Sequence, residues 1–108
     1  MTQDELTSDQ FKQIKKMQKI LSELEKGMNE FEIQLDDFEA KQKSLQQLSK
    51  YYGSETWFED IKSYDEGNLP KGHNYSVLGE DPVFDVIGDN YRMAIRLLEV
   101  ATEIIKNH

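Results

Sequence analysis

The 108-residue chain contains no cysteine. Disulfides, thiolate metal sites and cysteine nucleophiles are therefore excluded. Basic residues are scarce: 13 Lys and Arg stand against 21 Asp and Glu, a net charge of -8. Phosphate affinity requires clustered positive charge, so a general nucleic-acid binder is not expected. No run of about 18 apolar residues occurs, so no segment is expected to enter a membrane. Residues 1–9 are polar and acidic without an apolar core, so no secretion leader is read there, and the expected compartment is the cytoplasm. Phosphate-cradling and dinucleotide-binding glycine patterns are missing, because Gly67, Gly72 and Gly79 are too widely spaced and no strand precedes them. The ligand rhythm of a calcium-binding helix-loop-helix and the Glu-x-x-His of a di-iron bundle are missing too. His73 and His108 share no motif. No cofactor and no resident metal is expected. A chain this short makes one domain at most and buries roughly 60–65% of its unfolded surface, so its own core is small.

What is present is periodicity. With Ile14 as heptad position a, the a positions are Ile14, Leu21, Met28, Leu35, Gln42 and Ser49, and the d positions are Met17, Leu24, Phe31, Phe38, Leu45 and Tyr52. Only Gln42 and Ser49 break the apolar seam, so residues 8–52 read as one long coiled-coil-like helix. Thr7, Ser8 and Asp9 offer N-caps, and Gly53 stands where a left-handed C-terminal cap is expected. Gly27 lies inside the helix, and a kink there is the alternative. Residues 53–80 read as a short helix and a loop. Ser54 is the N-cap of the short helix, Trp57, Phe58, Ile61 and Tyr64 form one face, and Gly67 ends it. Asp81-Pro82 then opens a C-terminal helix over 81–106, with Asp81 as N-cap. Its 3,4-spaced seam is Phe84, Ile87, Tyr91, Ala94, Leu98, Ala101 and Ile105, widened by Val83, Met93, Ile95, Leu97, Val100 and Ile104. A helix this apolar needs more than one neighbour. The expected fold is all-α: the long helix folded antiparallel against the C-terminal helix as a hairpin or bundle, in a single domain.

The centre of the chain carries a distinctive string, Tyr51-Tyr52-Gly53-Ser54-x-x-Trp57-Phe58-Glu59-Asp60, followed by Gly67-x-Leu69-Pro70-Lys71, Val77-Leu78-x-Glu80-Asp81, Asp85 and Asp89-Asn90. Over roughly residues 45–105 it resembles a small bacterial family known only as a domain of unknown function. Ser76 and Gly79 depart from the Gly and Ser expected on either side of Val77-Leu78. The resemblance implies a bacterial, cytoplasmic, mostly helical protein, and it carries no activity or catalytic residue.

Three constellations are candidates for function. Tyr51, Tyr52, Trp57, Phe58 and Asp60 form an aromatic-acidic group that serves either as a recognition surface for an unknown protein partner or as a small core clamping the short helix. Residues 53–89 carry nine acids against Lys62 and Lys71. Asp81, Asp85 and Asp89 with Glu59 or Asp60 suggest a cation site, against the plainer reading of a solvated acidic face. Lys12, Lys15, Lys16, Lys19 and Lys26 line the polar face of the long helix, facing either an anionic partner or simply solvent. The expected function is a non-enzymatic protein-interaction or regulatory module acting as a homodimer. A small metal-dependent enzyme and a modulator of a nucleic-acid machine are the alternatives. Ile14, Met17, Leu21 and Leu24 are the expected dimer residues. They lie on the part of the long helix that outreaches its partner, and uncovered they would leave a large apolar patch in water. The e positions Glu25, Glu32 and Glu39 complement the g positions Ile20, Gly27, Gln34 and Lys41 poorly, and Phe31 and Phe38 are bulky for a tight parallel pair. An antiparallel or bundle-type dimer is therefore expected.

Overall fold

The computed structural model describes residues 3–108, with side-chain surroundings from residue 7 onward. The leader-free N-terminus read over residues 1–9 lies partly outside them. The protein is all-α. Its elements are α1 (Gln3–Ala40), α2 (Gln42–Tyr51), α3 (Glu55–Asp65), a 3-10 turn (Ser76–Leu78) and α4 (Glu80–Lys106), with no strand among the described residues. The chain divides into two compact units, the first ending at Lys41 and the second spanning Gln42–His108.

The first unit is α1, 38 residues long. It begins before the expected caps at Thr7, Ser8 and Asp9, since no Gly or Pro interrupts the first 26 residues. It also passes unbroken through Gly27. A lone glycine costs a helix about 1 kcal/mol, too little to end one this long. The single helix expected over residues 8–52 is interrupted instead at Lys41, directly before Gln42, the first polar a position of the seam. The Lys41 amide still donates to the Asp37 carbonyl at 3.0 Å, and its ammonium pairs with the Asp37 carboxylate at 2.7 Å.

In the second unit α2 lies antiparallel to α4. Gln42, at the start of α2, exchanges two hydrogen bonds with Asn90 midway along α4, at 2.8 and 3.1 Å. The C-terminal end of α2 turns into α3, which leads back through the 3-10 turn to the start of α4. Gly53, at φ +80°, makes the turn out of α2 as expected. Gly67, at φ +73°, ends α3: its amide donates to Tyr64, and the Asn68 amide reaches back to Ser63, both at 3.0 Å. This paired closure satisfies two carbonyls of the last turn.

Two sequence expectations are corrected in α4. The helix starts at Glu80 with Gly79 as N-cap, not at Asp81. The 3-10 turn delivers the chain there through a Gly79 amide to Ser76 carbonyl bond of 3.0 Å, which places Pro82 third in the helix, where an amide still has no intrahelical partner. The inward seam also differs. Val83 is buried and Ile87, Asn90 and Leu97 are half-buried, whereas Phe84, Tyr91, Leu98 and Ile105 are exposed. Apolar residues crowd most of the α4 circumference, so spacing alone supports two seams. Contact with α2 through Asn90 selects the one that contains Val83.

Candidate functional site

The aromatic-acidic string forms the joint between α2 and α3. Ser54 sits at the corner in extended conformation. Its hydroxyl donates to the Tyr51 carbonyl at 2.6 Å and accepts from the Trp57 amide at 3.2 Å. One side chain thus closes α2 and caps α3. The cap sets the direction of Trp57, which is 7% exposed. The Trp57 ring N–H donates to the Val77 carbonyl at 3.0 Å. Tyr52 and Phe58 both meet the Trp57 ring edge to face, with centroids 5.0 Å apart. Tyr52 is half-buried and Phe58 remains exposed. Trp57 therefore pins α3 to the loop before α4, and Phe58 is the ring of this group that the surface presents.

Beside the joint, the Tyr51 hydroxyl donates to the Asp60 carboxylate at 2.5 Å, linking the last residue of α2 to the middle of α3. The hydrogen bond to Asp60, helped by burial and by the carboxylate's charge, pushes the Tyr51 phenol up from 10 to about 12. The string thus brings together Tyr51, Tyr52, Trp57, Phe58 and Asp60, each engaged with another member or with backbone.

Asp81, Asp85 and Asp89 are exposed along α4, and among the described residues no three His, Asp or Glu side chains are grouped to hold a metal ion. The loop after α3 is folded on Tyr75, whose hydroxyl donates to the Pro70 carbonyl at 2.6 Å and whose ring lies 5.4 Å from that of Tyr64. An open groove of about 510 Å³ runs between Ile61, Tyr64, His73, Tyr75, Leu78 and Pro82. The sequence marks Tyr75, with Leu69, Val77 and Leu78, as apolar enough to pack down in the loop, but not its hydroxyl bond to the Pro70 carbonyl, since an irregular stretch has no periodic signal. Sequence reasoning also missed the Gln42–Asn90 pair, although Gln42 as a polar break in an apolar seam was a usable sign that a polar partner faces it.

In the first unit the dimer residues named from the sequence are all in water. Ile14 is 59% exposed and Leu21 51%, with Met17 and Leu24 close to these values. The stripe continues exposed through Met28, Phe31 and Leu35. Lys12, Lys15, Lys16 and Lys19 are exposed as well, and Lys26 stands 4.0 Å from Glu30.

Residues 14–100 match a family described as Domain of unknown function (DUF4298), which covers α2 to the start of the last turns of α4 and most of α1. The chain belongs to this family. No match was found among curated proteins or among solved structures. Among the described residues, no helix is long and apolar enough to cross a membrane.

Proposed function

We propose that this member of the family is a non-enzymatic, cytoplasmic bacterial module that works by protein–protein contact, and that its first contact is with a second copy of itself. The observation that carries the reading is the exposed a and d stripe of α1. Its large apolar side chains, from Ile14 to Leu35, recur at coiled-coil spacing along a helix that leaves all of them more than a third exposed. A stripe of this length exceeds the few hundred Å² of contiguous apolar surface that a monomer usually tolerates. The outer face of α4 adds Phe84, Tyr91, Leu98 and Ile105, also exposed. The chain's own core is correspondingly slight: among the described residues only Trp57 and Val83 are buried apolar side chains.

The joint supports a contact role in preference to a catalytic one. Its polar atoms serve as structural links, Tyr51 to Asp60 and the Trp57 ring N–H to the Val77 carbonyl, which suits a contact surface held in one shape. Phe58, exposed on a rigid aromatic platform with Tyr51 and Asp60 nearby, is suited to anchor a further protein partner. The test is Leu21→Glu. A charge in the middle of the stripe should convert a dimer to a monomer by light scattering while Trp57 fluorescence stays native. A wild-type chain that is already monomeric at micromolar concentration contradicts the proposal.

A further inference from the structure

Charge along residues 10–40 of α1 is unevenly placed on either side of a mixed centre of Glu23, Glu25 and Lys26. Residues 10–22 carry Lys12, Lys15, Lys16 and Lys19 and no acid. Residues 28–40 carry Glu30, Glu32, Asp36, Asp37 and Glu39 and no base. Gly27 lies between the halves, and a Cβ placed there would meet nothing within 4 Å in its own chain. We infer that the occupant of the α1 stripe is a second copy of α1 running antiparallel, with the two helices crossing beside Gly27. The inference deepens the self-association reading above and rests on it.

Three features favour this direction. The first is charge. An antiparallel pair lays each basic half along the acidic half of the other copy. A parallel pair runs the like-charged stretches alongside each other; because the lysines stand at the outward b, c and f positions, this contributes only a weak, salt-screened preference. The second is register. In antiparallel coiled coils a positions meet d positions. In the register that puts the two-fold axis between Glu25 and Gly27, Met17 faces Leu35 of the second copy, Leu21 faces Phe31, and Leu24 faces Met28. Each bulky Phe31 is then opposed by a leucine, whereas a parallel pair must stack phenylalanine on phenylalanine. The third is the glycine. In that register Gly27 flanks the two-fold axis and faces its own copy, so the missing side chain lets the backbones approach at the crossing. Glu25, on the other flank, is brought toward its own copy, a like-charge cost confined to the axis.

The area suits a stable pair. The seven a and d side chains from Ile14 to Leu35 are exposed. At on the order of 100 Å² each they supply about 700 Å² per copy, near the ~800 Å² per partner of a standard interface.

Because the chain has no cysteine, single thiols report on direction cleanly. Met17→Cys and Leu35→Cys are prepared separately and treated with a short thiol crosslinker, alone and after mixing and re-equilibration. The antiparallel pairing predicts crosslinked dimer in the mixture and little in either variant alone, because position 17 lies 18 residues, about 27 Å, from its own copy along the axis. Met17→Cys that links to itself as fast as the mixture overturns the antiparallel inference and leaves self-association standing. A chain that is monomeric before any thiol is introduced overturns both. Lys12→Cys, on the polar face, reports independently should a seam variant fold poorly. Spin labels there should lie about 40 Å apart, the span of the 28 residues between facing positions, and a short distance contradicts the inference.

Discussion

Four interactions meet at Trp57: the Ser54 cap on its amide, the Val77 carbonyl on its ring N–H, and the edge-to-face contacts with Tyr52 and Phe58. In a unit with so little buried apolar surface, this residue should carry a large share of stability. Trp57→Ala is expected to destabilise the C-terminal unit by about 3–5 kcal/mol, measured by urea unfolding followed by circular dichroism. A loss within a few tenths of a kcal/mol would show that the ring serves a partner and not the fold. Tyr51 gives a second, pH-dependent signature. Its phenol is raised from 10 to about 12 in the folded chain, chiefly by donating to Asp60. The unfolded chain releases that proton first, so the contribution is fully present below pH 10 and is lost as pH rises from 10 through 12. Absorbance titration should show one tyrosine ionising near pH 12. Tyr51→Phe should remove that step and flatten the alkaline decline in stability.

At the scale of elements, boundaries written in local chemistry were legible and those set by partners were not. Gly53, Ser54 and Gly67 each act where the sequence places them, because a left-handed turn or a hydroxyl cap is a property of one residue and its immediate neighbours. The α4 N-cap moved from Asp81 to Gly79, since the preceding 3-10 turn competes for the same corner. The α4 seam turned from Phe84, Tyr91 and Leu98 to Val83, Asn90 and Leu97 for a different reason: an apolar circumference leaves the inward side to be chosen by contact. The break at Lys41 instead of Gly27 follows the same logic. Backbone propensity at one glycine is worth about 1 kcal/mol, while the seam itself changes character at Gln42. The Gln42–Asn90 pair is the specific link that orients α4 on α2, so the two residues should be coupled. A double-mutant cycle with Gln42→Leu and Asn90→Leu is expected to give about 0.5–1.5 kcal/mol of interaction free energy in thermal unfolding. A coupling near zero would mean that apolar contacts alone choose the inward face.

For the whole molecule, the outstanding feature is how much apolar surface stays in water relative to how little is buried. The periodicity that predicts α1 from the sequence also marks its a and d stripe, which is exposed from Ile14 to Leu35 and which the proposed second copy would cover. Family membership fixes neither activity nor partner, so the surface itself has to carry the functional argument. The most direct measurement is sedimentation equilibrium of the full chain at micromolar concentration, with Leu21→Glu beside it. Self-association gives a mass of twice the 12.7 kDa chain for the wild type and a folded monomer for the variant. A wild-type chain that sediments at 12.7 kDa across the accessible concentrations would contradict it.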